Sequence, residues 1–252
     1  MADHSLLSSY NNIAGMYHAL WADWYLPAAM PALERVFFSQ VPAGARVLDL
    51  CCGSGHVTKE LVARGYTVTG VDNSAELIEL ARYQLPHVDF RVQDARHLSL
   101  DGRYRAALST FDSLNHILAI DELKRVFAGV RDVLEPGGRF VFDMNLEEAY
   151  SADLREWAVD IKPDSVGLVR GKFDAVTKLA STELLWFTKV EGGNCWVQHR
   201  STVKQQCYSQ SEILTALGEA GFRDIESIAA RDAGVRAELG FGRTYFVAHT
   251  QA

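Results

Sequence analysis

Apolar residues recur along this chain in two alternating rhythms. Short apolar runs, several ending in an acid, are separated by stretches whose apolar positions lie three and four apart. Val47-Leu48-Asp49-Leu50 is the first run and Val68-Thr69-Gly70-Val71-Asp72 the second. Val88–Val92 alternates as a third and delivers Asp94, Ala106–Phe111 is a fourth, and Phe140-Val141-Phe142-Asp143 is a fifth. Between them, Val57 and Leu61 share a helical face, as do Leu77, Ile78, Ala81 and Leu85 behind the capping sequence Asn73-Ser74-Ala75-Glu76. Leu123, Val126, Phe127, Val130, Val133 and Leu134 mark the most periodic helix, stopped by Pro136-Gly137-Gly138. Strand and helix alternating at this spacing predict βαβ units and a parallel sheet buried on both faces.

The pattern changes after Asn145. Val166–Val169, Leu184–Val190 and Cys195–Cys207 are β-type runs, the last two joined by a hairpin turn at Glu191-Gly192-Gly193-Asn194. Along Cys195–Cys207, Val197, His199, Ser201, Val203 and Gln205 share one face, and polar residues occupy most of the other. This predicts a half-exposed antiparallel insertion. Ser209-x-x-Glu212 then opens a last helix through Ile213, Leu214 and Leu217, closed by Gly221. Ile225–Ala229 and Tyr245–His249 supply two final strands. The fold class expected is α/β: a doubly wound, mostly parallel seven-stranded sheet with an antiparallel β insertion before the last helix.

Residues 5–40 read as helical, punctuated by Pro27 and Pro31. Tyr10, Tyr17 and Trp21 fall near one face of that segment. Two readings stand: an ordinary amphipathic helix packed on the domain, or a cap that offers tyrosine hydroxyls to a site. The corresponding division is a cap over residues 1–40, a core over 41–145 and 209–252, and an insertion over 146–208.

Composition narrows the partners. The 252 residues suffice for a sizeable core, with 48% hydrophobic and 23% charged residues. A formal net charge of −7 argues against a nucleic-acid backbone as partner. The four cysteines contain no Cys-x-x-Cys, so neither a zinc site nor a disulfide framework is expected, and no metal. No signal-peptide pattern or membrane-length apolar run is present, so a cytoplasmic protein with no membrane partner, monomer or homodimer, is the expectation.

Chemistry concentrates in Asp49-Leu50-Cys51-Cys52-Gly53-Ser54-Gly55-His56, where an apolar strand runs into a glycine turn and then a helix. Glycine suits a backbone that a ligand approaches closely or that needs positive φ. A nicotinamide dinucleotide would want Gly-x-Gly-x-x-Gly, and the third glycine is absent. Asp49, four residues before Gly53, sits badly beside a pyrophosphate and well beside an ammonium group. The Walker pattern is also missing. In open α/β sheets, ligands bind at the carboxyl ends of the strands, where Asp49, Asp72 and Asp94 all fall. Asp72 is placed to accept both hydroxyls of a ribose.

These motifs, with Gly70-Val71-Asp72-Asn73-Ser74, Gln93-Asp94-Ala95 and Leu134-x-Pro136-Gly137-Gly138, resemble the class I S-adenosylmethionine-dependent methyltransferases over residues 45–145. The resemblance implies a Rossmann-like core and S-adenosylmethionine as cofactor. It places Gly53 and Gly55, together with Asp49, at the methionine part, Asp72 and Asn73 at the ribose, Asp94 and Ala95 at the adenine, and Phe111 beside the donor. The stretch Phe111-Asp112-Ser113-Leu114-Asn115-His116 lacks the Asp/Asn-Pro-Pro-aromatic motif of nucleic-acid amino methyltransferases. It resembles the small-molecule deoxyaminosugar and glycine N-methyltransferases, which similarly begin with a tyrosine-bearing helix.

The expected activity is methyl transfer to a small molecule, an amine in preference to an oxygen acceptor. A non-catalytic donor-binding protein is the other class. His116 is the candidate base, because imidazole titrates in the useful range. Its other reading is a hydrogen-bonded histidine at a helix start. Tyr10 and Tyr17 are expected to close the pocket or orient the acceptor. Asp143 and Asn145, at the end of the fifth strand, are read as substrate contacts or as outer supports, and His199 as a weaker candidate.

Overall fold

The computed structural model describes residues 22–150, 156–190, 192–236 and 238–252. Tyr10, Tyr17 and Trp21 lie outside the described residues. Each short apolar run forms a strand: β1 (Arg46–Leu50), β2 (Thr67–Asp72), β3 (Asp89–Val92), β4 (Tyr104–Ser109) and β5 (Leu134–Asn145). Between them run α2 (His56–Ala63), α3 (Ala75–Gln84) and α4 (Ile120–Val133), all preceded by α1 (Ala22–Leu33). After β5 come a single helical turn, α5 (Glu147–Tyr150), and four strands, β6 (Ala158–Lys162), β7 (Ser165–Asp174), β8 (Leu179–Lys189) and β9 (Trp196–Gln206). The described chain closes with α6 (Gln210–Glu219), β10 (Arg223–Ala229) and β11 (Arg243–His249).

The main sheet has seven strands in the order β10-β11-β5-β4-β1-β2-β3. Pairings among β1 to β5 are parallel, and β11 runs antiparallel between β5 and β10. The strand order therefore reverses at β1, whose two neighbours are β2 and β4, and that reversal opens a crevice at their carboxyl ends. Both faces are dry. Phe140, Phe142 and Phe246 meet Phe127 of α4 and Leu217 of α6 on one side. Val47, Val141 and Val247 meet Phe37 and Leu61 on the other. In α4, Leu123, Val126, Phe127, Val130 and Val133 are all buried, at about 2 kcal/mol each before entropy is charged. α3 and α6 start where cap chemistry predicts. Ser74 Oγ accepts from the Leu77 N–H, and Ser209 forms a complete capping box with Glu212.

β6 to β9 form a separate four-stranded antiparallel sheet in sequential order. Lys189 pairs with Trp196 across the expected hairpin, where Gly192 takes φ +75°. β6 escaped the sequence reading because all five of its residues are exposed, so burial imposes no alternation on them.

Three boundaries differ from expectation. β4 stops at Ser109, because Phe111 and Asp112 adopt left-handed φ values of 62° and 47°. β5 begins at Leu134 and takes in Pro136-Gly137-Gly138, with a register break against β4 and Gly137 at φ +66°. Those residues end α4 and also enter the strand by a glycine bend. Finally, α1 continues through Pro27 and Pro31 and then widens over Glu34–Phe38, where the Ser39 N–H reaches the Glu34 carbonyl five residues back. Pro31 has no N–H to donate one turn back, so the ladder is already broken there.

Candidate active site

The turn after β1 is held by backbone geometry. Cys51, Gly53 and Gly55 take φ of 59°, 54° and 85°. Asp72, at the end of β2, ties this turn down. One carboxylate oxygen accepts the Gly53 N–H and the other the Ser74 N–H, both at 2.9 Å. At Gly55 an added Cβ would stand 3.3 Å from Ala81 Cβ and 3.4 Å from the Phe90 ring. Glycine is required there by close packing on α3 and β3 as well as by φ. Of the two causes expected from sequence, positive φ is observed, and the packing on α3 and β3 adds to it.

Asp49 is 1% exposed. Thr58 Oγ1 donates to it at 2.5 Å, and it has no ion-pair partner among the described residues. Burial pushes its carboxyl up to about 7, with the Thr58 bond pulling down and the Asp72 charge pushing further up. Asp49 lines a cleft with Tyr25, Leu26, Cys51, Cys52, His56, Val57, Thr110 and Phe111. Burial also raises the Cys51 and Cys52 thiols, so neither is a nucleophile. At the next strand end, Asp94 accepts from Arg96 N, Nε and Nη2 at 2.9, 3.0 and 2.6 Å. Burial alone would raise its carboxyl, but Arg96 outweighs it and holds it below the usual range. Ala95 is buried behind it, and Asn73 is half-buried beside Asp72.

A second group of side chains surrounds a buried cation. Arg243, 5% exposed at the start of β11, ion-pairs with Asp112 at 2.6 Å and with Asp143. Burial opposes its charge, and the two carboxylates outweigh burial and raise it well above its ordinary value. Tyr25 donates to the other Asp143 oxygen at 3.3 Å. It also accepts the Phe111 N–H at 3.1 Å and stacks on the Phe111 ring, with centroids 4.4 Å apart. The remaining Asp112 oxygen accepts from Gln205 Nε2, which lies 3.3 Å from His116 Nε2. His116 Nδ1 is 2.8 Å from the Lys204 carbonyl. Asn115 closes the layer by donating to the carbonyls of Asn145 and Gln206 and accepting the Asn145 N–H.

A family model described as a methyltransferase domain matches residues 47–138. YqeM of Bacillus subtilis strain 168, a protein assigned as a methyltransferase, is 32% identical over 189 residues, which is 73% of this chain and 76% of that one. The chain belongs to the S-adenosylmethionine-dependent methyltransferases. A second relative, the dTDP-3-amino-3,4,6-trideoxy-alpha-D-glucopyranose N,N-dimethyltransferase of Streptomyces venezuelae, is 32% identical over 190 residues, 73% of this methyltransferase and 78% of that enzyme. In fold, this chain is similar to an S-adenosylmethionine-dependent methyltransferase from Clostridium acetobutylicum ATCC 824. That likeness has a TM-score of 0.79 and 20% identity, and covers 96% of this chain and 99% of the other.

The cleft of this methyltransferase suits S-adenosylmethionine on its own chemistry. A desolvated carboxylate with no cation partner among the described residues, lining the cleft beside the glycine turn, wants an ammonium. Asp49, Gly53, Gly55, Asp72 and Asn73 gather at the crevice where strand order reverses, with Asp94 and Ala95 one strand further. Phe111 lies in the cleft wall, and His116 is linked to it through Asp112 and Gln205. His199 is not brought here, since on β9, six residues before Gln205, it pairs with Trp186 of β8. Asp143 is fully buried against Arg243, which makes it a support and removes it as a substrate contact. Asn145 likewise spends its backbone on Asn115.

Tyr25, Asp112, Gln205 and Arg243 were missed from sequence. The signal for Arg243 was a lone cation heading an otherwise apolar strand. Tyr25 continued the row of aromatics that starts at Tyr10.

Proposed function

We propose that this methyltransferase methylates the amine nitrogen of a small-molecule acceptor, with His116 as the base. The observation that carries the reading is the state of His116. Its Nδ1 faces a carbonyl, which fixes that nitrogen as the donor and leaves Nε2 as the basic nitrogen. Burial lowers its pKa, against Asp112 and the Lys204 carbonyl, which raise it, so the neutral ring is favoured. The aminosugar N,N-dimethyltransferase among the relatives supports nitrogen as the acceptor atom.

S-adenosylmethionine supplies an electrophilic methyl on a sulfonium and leaves as a neutral thioether. In this reading Asp49 holds its ammonium, Gly53 and Gly55 underlie its methionine part, Asp72 and Asn73 bind its ribose, Asp94 and Ala95 its adenine, and Phe111 flanks it. Tyr10 and Tyr17, which lie outside the described residues, are the residues proposed to orient the acceptor or close over the methyl. An amine of pKa near 9 is about 1% neutral at pH 7, and deprotonating it costs roughly 2.7 kcal/mol. His116 Nε2 takes that proton, and a dry pocket walled by Tyr25 and Phe111 lowers the cost further.

The test is release of S-adenosylhomocysteine over a panel of amines, phenols and carboxylic acids, with products weighed by mass spectrometry. Turnover of amines is expected. Turnover confined to phenols or carboxylates overturns the nitrogen assignment. Donor binding with no turnover on any acceptor favours a non-catalytic binding protein.

A further inference from the structure

Resting on that reading of His116, we propose that Gln205, carried by the insertion sheet, is a positioning residue that sets the tautomer and basicity of the imidazole. The hydrogen-bond directions follow from one fixed end. Arg243 has only donors, so Asp112, which it pairs with at 2.6 Å, faces it as an acceptor. The second Asp112 oxygen therefore requires a donor, and this orients the Gln205 amide with its NH2 toward Asp112. The same NH2 has a second hydrogen, and it points to His116 Nε2 at 3.3 Å. The Gln205 oxygen is turned the other way and accepts from the Tyr150 hydroxyl at 3.4 Å. His116 is thereby read from both sides: its Nε2 receives a donor, and its Nδ1–H is received by Lys204, the neighbour of Gln205 on β9.

Two consequences follow. A donor at Nε2 favours the neutral ring, since the protonated ring has no lone pair to offer it. At 3.3 Å that bond is long, so a substrate amine displaces it at little cost, and the charge formed on the ring then faces Asp112. Among the contacts made by the described residues, the groups facing His116 include Asp112 from the turn after β4, Gln205 and the Lys204 carbonyl from β9, and, one bond further out, Arg243 from β11 and Tyr150 from α5. Burial raises the Tyr150 phenol first and the Asp112 charge raises it further, so it stays a neutral donor to the Gln205 oxygen.

The experiment is nitrogen-15 NMR of ring-labelled histidine in the full chain, with the His116 signals assigned by their loss in His116→Gln. The wild type is expected to show a protonated Nδ1 and an unprotonated Nε2. Gln205→Leu is expected to raise the His116 titration midpoint by about 0.7 of a pH unit, the equivalent of one neutral hydrogen bond. The acidic limb of kcat should move up with it, while KM for S-adenosylmethionine stays put. A wild-type ring protonated at Nε2 overturns the proposal, as does a midpoint unmoved in Gln205→Leu. If that variant does not fold, the wild-type tautomer and the milder Gln205→Met decide. Because the titration needs no turnover, it is read even if no acceptor is methylated, which separates its failure from that of the assigned activity.

Discussion

Replacing Asp49 by asparagine should abolish donor binding and at the same time stabilise the free protein. Asp49 is 1% exposed and its carboxyl rises from an ordinary 3.8 to about 7. A carboxyl raised on folding binds its proton more tightly in the folded state. Its stabilising contribution is therefore complete below about pH 4, declines as pH rises from about 4 to about 7, and is gone above that. At 1.36 kcal/mol per pH unit, the interval from 3.8 to about 7 corresponds to about 4 kcal/mol of strain in the ionised, donor-free protein at pH 8. Asparagine removes the charge and keeps an oxygen for Thr58, but buries an extra NH2 that costs about 1–3 kcal/mol. A net gain of about 2 kcal/mol is expected at pH 8, or roughly 4–8 °C in Tm for a chain of this size. The assay is thermal unfolding at pH 5.5 and pH 8, with and without saturating S-adenosylmethionine, plus calorimetric titration of the donor. The wild type should lose stability between the two pH values without donor and lose less with it, because the ammonium offsets the charge. Asp49→Asn should show a flatter profile and no donor binding. A variant no more stable than wild type at pH 8, or one that still binds the donor, would refute the reasoning.

Three further outcomes are expected. Arg243→Met strands Asp112 and Asp143 in the interior, at 12% and 0% side-chain exposure, and should cost about 3–5 kcal/mol in urea unfolding. Asp72→Asn keeps an acceptor for only one of the Gly53 and Ser74 amides and should weaken donor binding at least tenfold by calorimetry, with circular dichroism unchanged. His116→Gln should lower kcat on an amine acceptor by about 100-fold or more and erase the acidic limb of its pH profile, with donor Kd unchanged.

The main sheet was legible because burial on both faces leaves a short-range imprint. Phe140, Phe142 and Met144 face α4 and α6 while Val141 faces the other side, so the whole run reads as apolar. α4 announces itself through five buried positions at helical spacing. What failed was local in a different sense. β6 buries nothing, so no period survives in it. At Phe111 and Asp112 the β-type pattern continues into residues whose φ is positive, and side-chain type carries almost no record of that.

The site divides along the same line. The half proposed to hold the donor lies on consecutive elements: Asp49 and Thr58 are nine residues apart, Asp72 and Ser74 two. Strand ends and turn glycines mark such places within one βαβ unit, so pattern finds them. The half proposed to face the acceptor is assembled from distant pieces. Arg243 meets Asp112 across 131 residues, Gln205 meets Asp112 across 93, and Tyr25 meets Asp143 across 118. No period links such partners; only the placement of β11 beside β5 and the return of β9 to the turn after β4 brings them together. A buried arginine needs its carboxylates and each carboxylate needs its remaining bonds met, so the network admits few local substitutions. Acceptor choice must then be varied elsewhere. The insertion face beyond Gln205, with Trp186 opposite His199 and Thr182 opposite Val203 across β8 and β9, lies outside that ion-pair network. Methylation of different acceptors by this core is therefore expected to follow substitutions on that face, while those at Arg243, Asp112 or Asp143 change stability first.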